Sequence, residues 1–259
     1  MAARGLTRVT AVAANTFRES VRERVLYNLV IFAVLMTLSS LLIGQLSVRQ
    51  DEKIIKDIGL AAVDVFGTLI AMFVGVGLIR KEIERRSLYP LLAKPLSRGE
   101  FLAGKFVGLS FTLLVNVALM TLGLLAALRL AGRSPDAGLV AAVYPTYLGL
   151  LLTVSIALFF SAMASSQILA TMWTLSVVVA GRYADVIRNM PQVTSAPPWL
   201  AEGLYYAIPN FTNFDQKARV VYGDPVPLST LAWITAYAVV YVSVLLLAAH
   251  LAFRRRELL

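Results

Sequence analysis

Apolar positions in this chain fall in long, unbroken runs separated by short polar stretches. There is neither the two-residue alternation of a half-buried strand nor a polar face recurring every third or fourth residue. Runs at 25–46, 58–79, 106–128, 141–160, 168–187 and 229–253 each hold about the 20 residues that a helix needs to cross a hydrocarbon layer roughly 30 Å thick. A soluble bundle would show amphipathic stripes, whereas helices apolar on every side belong in lipid. The pattern predicts an all-α polytopic membrane protein: six transmembrane helices in one domain over residues 1–259.

The stretch before the first run is different. Leu6, Val9, Ala13, Phe17 and Val21 recur at helical spacing, with Arg4, Arg8, Asn15, Arg18 and Arg22 opposite them, which predicts an amphipathic helix over 4–22. A basic face opposite an apolar one suits the headgroup plane of anionic lipid, and equally a helix packed on a soluble partner. The long basic region, the full-length run that follows it and the absence of a small-residue cleavage site as far as Ser47 argue against a cleaved signal peptide.

Composition supports the membrane reading. The chain is 58% hydrophobic and 15% charged, with a mean hydropathy of +0.74, more apolar surface than one soluble core can use. Six crossings place both ends on one face, together with 80–105 and the link SAMASSQ (161–167). That face carries 15 of the 24 Lys and Arg against 6 of the 15 acids, while the other carries 9 of each. Basic excess marks the cytoplasmic side, so both termini are expected there. The formal charge of +9 is thus a topology signal; no basic soluble domain or motif points to nucleic acid. With no Cys, disulfides, thiol catalysis and Cys-based metal sites are excluded, and with one His, His250, a metal site is not expected.

The most informative polar stretch is 80–105, RKEIERRSLYPLLAKPLSRGEFLAGK. Ser87 can cap a short helix from Leu88, where Pro90 is tolerated in the first turn. Leu88, Leu91 and Leu92 form one apolar edge with Tyr89 beside it, and Pro95 stops the helix by pushing Lys94 toward an extended conformation. Ser97 and Glu100 have capping-box spacing, which predicts a new helix continuing through Phe101, Leu102 and Lys105 into the third run. A short helix so punctuated and joined to two spans can transmit force; an ordinary basic loop obeying the charge rule would share its composition.

From Glu82 to Lys105 the string E-x-x-x-x-S-L-Y-x-L-L-A-K-P-L-S-R-x-E-F-L-x-G-K resembles the cytoplasmic loop of ABC-2-type permeases, the membrane subunits of ATP-binding-cassette exporters. Within that family it is most similar to the small-permease branch that serves maturation of the copper site of nitrous-oxide reductase. The likeness extends to the amino-terminal helix, the six spans, the segment IPNFTNFD (208–215) before the last span and the basic tail. The resemblance implies that the loop forms a coupling helix in a cleft of a separate ATPase subunit. That role falls to Leu88, Tyr89, Leu91, Leu92 and Lys94, flanked by Glu84, Arg85, Arg98 and Glu100. A second contact falls on Ser161, Met163, Ser165 and Ser166 of the next link on that face. It further implies a second copy of the permease, ATP and magnesium on the partner ATPase and no cofactor on this chain, in a bacterial or archaeal cytoplasmic membrane.

GEFLAGK (99–105) matches the phosphate-loop pattern, but Phe106 stands where Ser or Thr must reach magnesium, and the capping box predicts helix there. Gly104 and Gly108 form G-x-x-x-G, which permits close helix packing. Asp64 and Asn116 are polar groups within spans and so candidates for a substrate pathway, with water access near the interface and interhelical bonding as the plain alternatives. Arg182, Asp185 and Arg188 share a predicted helical face, so Asp185 is expected to pair with one of the arginines. In 188–228, six prolines break the chain into short pieces. Trp199, Tyr205, Tyr206, Pro209, Asn210 and Phe211 are assigned, through the resemblance, to short re-entrant helices forming an outer gate; a surface loop with interfacial aromatic anchors fits the composition equally.

Three functions follow. The first is an ABC-2-type permease, coupling ATP hydrolysis on another subunit to export. The second is an ATPase-coupled protein that passes force to an outer partner without conducting a substrate. The third, an intramembrane protease or lipid transferase, needs a nucleophile with its base, or a metal cluster, for which this sequence offers little material.

Overall fold

The computed structural model describes residues 2–22, 24–45, 51–84, 97–134, 138–193 and 197–255. Its described elements are helical: α1 (Ala2–Val21), α2 (Arg24–Gln45), α3 (Asp51–Glu84), α4 (Arg98–Leu130), α5 (Gly138–Met163), α6 (Gln167–Arg182), α7 (Ala184–Val193), α8 (Pro198–Ala207), a 3₁₀ turn (Phe211–Phe214), α9 (Lys217–Val221) and α10 (Leu228–Arg255). Among the described residues, four helices are long and apolar enough to cross a membrane: α3, α4, α5 and α10.

The core is the packing of α3, α4 and α5, with α2 against α3 and α10 against α5. Ile70, Val74, Leu109, Leu113, Leu150 and Val154 are buried at its centre. α10 is held along one side only; Trp233, Val240, Val244, Leu247 and Leu251 on its other side are exposed, as an apolar helix is where it meets lipid.

α3 starts earlier than the apolar pattern indicates. The polar stretch before the second apolar run supplies the first turns of the helix from Asp51. Glu52 and Lys56 explain this: at i, i+4 their ion pair closes to 2.7 Å, the favourable order for a helix. Ile55 beside them is buried against Leu124 and Leu128 of α4. The fifth apolar run, expected to be helical to 187, breaks instead. α6 ends at Arg182 with Tyr183 as its C-cap, and its 16 residues reach only about 24 Å, short of a hydrocarbon layer.

α4 begins where the capping box places it. Ser97 Oγ accepts from the Glu100 amide at 3.1 Å and the Ser97 amide donates to Glu100 Oε2 at 2.8 Å. Residues 99–105 therefore lie in continuous helix, with the Glu100 amide taken by the cap and those from Phe101 onward by the helical ladder. Ser97→Ala is expected to lower stability by about 1 kcal/mol, read as a lower melting temperature in detergent. Glu100→Gln should cost less, because Gln preserves the box.

α1 packs along the first half of α4. Its contact face is the apolar stripe from Val9 onward, extended to small polar residues: Ala13, Thr16 and Ser20 are buried and Phe17 meets Phe111 edge-on, whereas Leu6 is 67% exposed. The cause is the pair Gly104 and Gly108. A Cβ at Gly104 would lie 2.6 Å from the Val12 side chain, and one at Gly108 would lie 2.6 Å from the Ala13 carbonyl oxygen. Small residues on both helices let the backbones approach, so the G-x-x-x-G pattern serves α1 of the same chain.

Candidate functional site

Two polar sites stand at opposite ends of the bundle. The first surrounds the start of α4. Arg98 Nη1 donates to the carbonyl oxygens of Phe253 at 2.8 Å and Arg254 at 3.1 Å. A guanidinium there satisfies carbonyls that a helix end leaves unpaired and complements its negative pole. Phe101 stacks on Phe253, with ring centroids 6.2 Å apart. From α1, Arg8 approaches Glu100 at 3.8 Å, and Glu19 approaches the fully buried Lys105 at 3.6 Å. The start of α4 is thus tied by charge to both terminal helices.

Of the residues assigned to the coupling helix, Arg85, Leu88, Tyr89, Leu91, Leu92 and Lys94 lie outside the described residues, and Glu84 closes α3. Arg98 and Glu100 are occupied by α10 and α1. In the neighbouring link, Ser161 is buried and its hydroxyl donates to the Val76 carbonyl at 3.2 Å, so it fastens α5 to α3 and has no surface for a second chain. Met163, Ser165 and Ser166 are exposed, and Ser166 Oγ also caps α6 by accepting from the Leu169 amide at 3.2 Å.

The second site is centred on Asp64 of α3. Arg182, at the end of α6, grips its carboxylate with both arms: Nη1 to Oδ2 at 2.8 Å and Nη2 to Oδ1 at 2.8 Å. Nη2 also donates to Thr68 Oγ1 at 2.9 Å. Lys217, the first residue of α9, places Nζ 2.8 Å from Oδ2. Asp64 is 14% exposed, and Lys217 Nζ is also 3.7 Å from Asp215. Beside these groups lies a cavity of about 20 Å³ bounded by Thr68, Thr146, Gly149, Phe211 and Phe214, the size of a single water.

The chain from 208 to 221 reaches this site because the bundle is shaped to receive it. Pro209, Asn210 and Phe211 are buried. The backbone of α6 at Gly181 is so close that an added Cβ would collide with the Pro209 carbonyl and lie 2.6 Å from the Phe211 ring. At Gly149 of α5 a Cβ would lie 3.4 Å from Phe214. Asn210 Oδ1 accepts from the Thr212 amide at 2.8 Å and shapes the turn, while the Asn210 amide donates to the Tyr237 hydroxyl of α10 at 2.8 Å.

The residues assigned to an outer gate therefore divide. Pro209, Asn210 and Phe211 are inserted in the bundle, whereas Trp199 and Tyr206 are each 72% exposed and α8 rests on α7. The expected pairing of Asp185 with an arginine does not form: the break at Tyr183 parts it from Arg182, which turns to Asp64, and Asp185 Oδ1 accepts from Asn210 Nδ2 at 3.4 Å. Arg188 stands over the Tyr205 ring, 5.1 Å from its centroid. Asn116 is buried and its Nδ2 donates to Thr112 O of its own helix at 2.7 Å, while Oδ1 has no hydrogen-bond partner; it bonds no second helix through that amide. Sequence reading missed Lys217; its neighbour Asp215 and the breaks around it gave no sign that it points inward.

Long apolar helices around a buried core, with ionic clusters toward the ends, define an integral membrane protein of helical-bundle type. The chain belongs to the ABC-2 family of transporter proteins, whose pattern matches residues 10–182. No curated protein matches the sequence.

Proposed function

We propose that this protein is the permease subunit of an ATP-binding-cassette transporter and works as an exporter, driven by ATP and magnesium bound on a separate ATPase subunit. The observation that carries this reading is the family match over 10–182, which spans the 85–96 segment and the α3 and α4 helices that flank it. Force delivered at 85–96 would enter α3 and α4 directly. Arg98, Glu100 and Lys105 would pass it on to α10 and α1, because each is held to one of those helices. Met163, Ser165 and Ser166, exposed on the link between α5 and α6, would make the second contact with the ATPase.

In this reading α2 and the α6–α7 pair complete six crossings, both termini are cytoplasmic, and two copies form the functional unit in a bacterial or archaeal cytoplasmic membrane. The Asp64 site then lies toward the outer face. The buried acceptor of Asn116 is a polar point on the route between the two ends. The small-permease branch typified by the nitrous-oxide reductase maturation system is the subgroup we favour, on the strength of the loop string at 82–105.

The test is purification of the tagged chain from native membranes in mild detergent, comparing wild type with Leu91→Glu/Leu92→Glu. A stoichiometric P-loop ATPase with the wild type, lost in the variant while the permease stays folded and inserted, is the expected result. Its absence from the wild type, under conditions that preserve known complexes of this kind, would remove the reading's main support.

A further inference from the structure

The apolar belt around the bundle is uneven. On α10 the exposed apolar side chains run from Leu228 to Leu251, about 35 Å of helix at roughly 1.5 Å per residue and enough for a full hydrocarbon layer. On α6 they run from Ile168 through Met172 and Leu175 to Val179, and polar residues close both ends, Gln167 and Arg182. The helix between them covers about 24 Å. One flank of the bundle is thus about 6 Å shorter than the layer that surrounds it.

A span that is too short is accommodated by thinning the bilayer, by snorkelling of its flanking charges, or by assembly with other protein. Snorkelling is closed to Arg182. Its guanidinium is turned inward to both oxygens of Asp64 and to Thr68, yet the side chain keeps 34% exposure. Nor can α6 slide along the membrane normal: its backbone at Gly181 lies against Pro209 and Phe211, and Ala170 near its other end is buried with Val76 and Ala157. A charge fixed at hydrocarbon depth is costly, and the cost is relieved when headgroups and water come to it. Asp185 and Arg188, exposed just beyond the end of α6, extend the polar zone.

We propose that the leaflet at the Asp64 end is drawn down by roughly 6 Å along α6, so that phospholipid headgroups reach Arg182, while along α10 the bilayer keeps its full thickness. The partner of this surface is lipid, and the flank favours short chains over long ones. The inference rests on α6 crossing the membrane as given above, and it involves neither the ATPase nor a substrate.

The chain has no native cysteine, so single reporters can be placed on each flank. Val179→Cys on α6 and Ala236→Cys on α10 are both at exposed positions, and they stand level because Val178 shares a buried cluster with Ile234 and Ala238. Each full-length variant is spin-labelled and reconstituted in phosphatidylcholine vesicles of short, intermediate or long monounsaturated chains, with melting temperatures as a control for folding. Label depth is read from the relative collision rates with oxygen and with a water-soluble nickel complex. Leu175→Cys, 45% exposed and one turn nearer the middle of α6, is a second reporter on the short flank.

In the long-chain vesicles the Val179→Cys label is expected to lie about 6 Å shallower than the Ala236→Cys label, and the difference should shrink in the short-chain vesicles, whose thickness already matches α6. Equal depths at every chain length would overturn the thinned flank. A difference independent of chain length, which helix tilt alone produces, would overturn it as well. So would an α6 label that neither reagent reaches, because protein and not lipid would then cover this flank. Labels at Leu175→Cys and Val179→Cys that both read as water-exposed would show that α6 does not cross the membrane, removing the crossing and the thinning together without bearing on ATPase binding.

Discussion

Asp64→Asn is expected to destabilise the protein by about 3 kcal/mol, read as a fall in the detergent melting temperature followed by tryptophan fluorescence. The substitution hardly changes the size of the side chain, so the effect is one of charge. In the native site Arg182 Nη1 and Lys217 Nζ both lie 2.8 Å from the same Oδ2. Without that carboxylate two cations face each other where little water reaches them, and each has lost its strongest acceptor. Arg182 retains 34% exposure and can partly rehydrate, which keeps the loss at the lower end of the range for broken buried pairs. The triple change Asp64→Asn/Arg182→Met/Lys217→Met removes the uncompensated charge and should recover most of the lost stability. A triple variant as unstable as the single one would show that the cluster contributes through packing and not through charge.

Gly104→Val together with Gly108→Val is expected to release α1 from α4. The clash at Gly108 is with a backbone carbonyl, that of Ala13, which no rotamer change can move aside. Overpacking of this kind costs about 1–3 kcal/mol, and here the two helices can escape it by separating. Trypsin cleavage after Arg18, which is exposed on α1, should then accelerate by about tenfold or more, since proteolysis follows the population of the opened form. Gly104→Ala/Gly108→Ala should fall between wild type and the valine pair. Cleavage at the wild-type rate in the valine pair would mean that the approach of these backbones is not what holds α1. Separation also parts Glu19 from Lys105 and Arg8 from Glu100, so α1 loses its charge ties to the start of α4.

Both sites show how far the chain can be read before folding. Ser97 and Glu100 were legible because a capping box is closed by residues three apart, within one helical turn. The long apolar helices were legible because transfer into lipid is summed over a run of residues and tolerates local exceptions. The partner of Asp64 was not. Arg182 and Lys217 are 118 and 153 residues away along the chain, and no local pattern records such a meeting. The i, i+3 spacing of Arg182 and Asp185 pointed to a pair that holds only if the helix continues, and Tyr183 ends it. G-x-x-x-G announced a close contact without naming the helix that makes it, and the apolar stripe of α1 did not announce that Thr16 and Ser20 would be buried with it.

What the sequence by itself determined is the solvent, the helices that apolar runs and caps define, and the basic segment at 80–105 set between two of them. These depend on nearest neighbours along the chain and on free energies that add residue by residue. Tertiary structure alone decided that α1 lies in a groove of α4, that Ser161 faces inward, and that Lys217 and Arg182 share one carboxylate. Those outcomes depend on which backbones can approach and which charges are left without water once the bundle has closed.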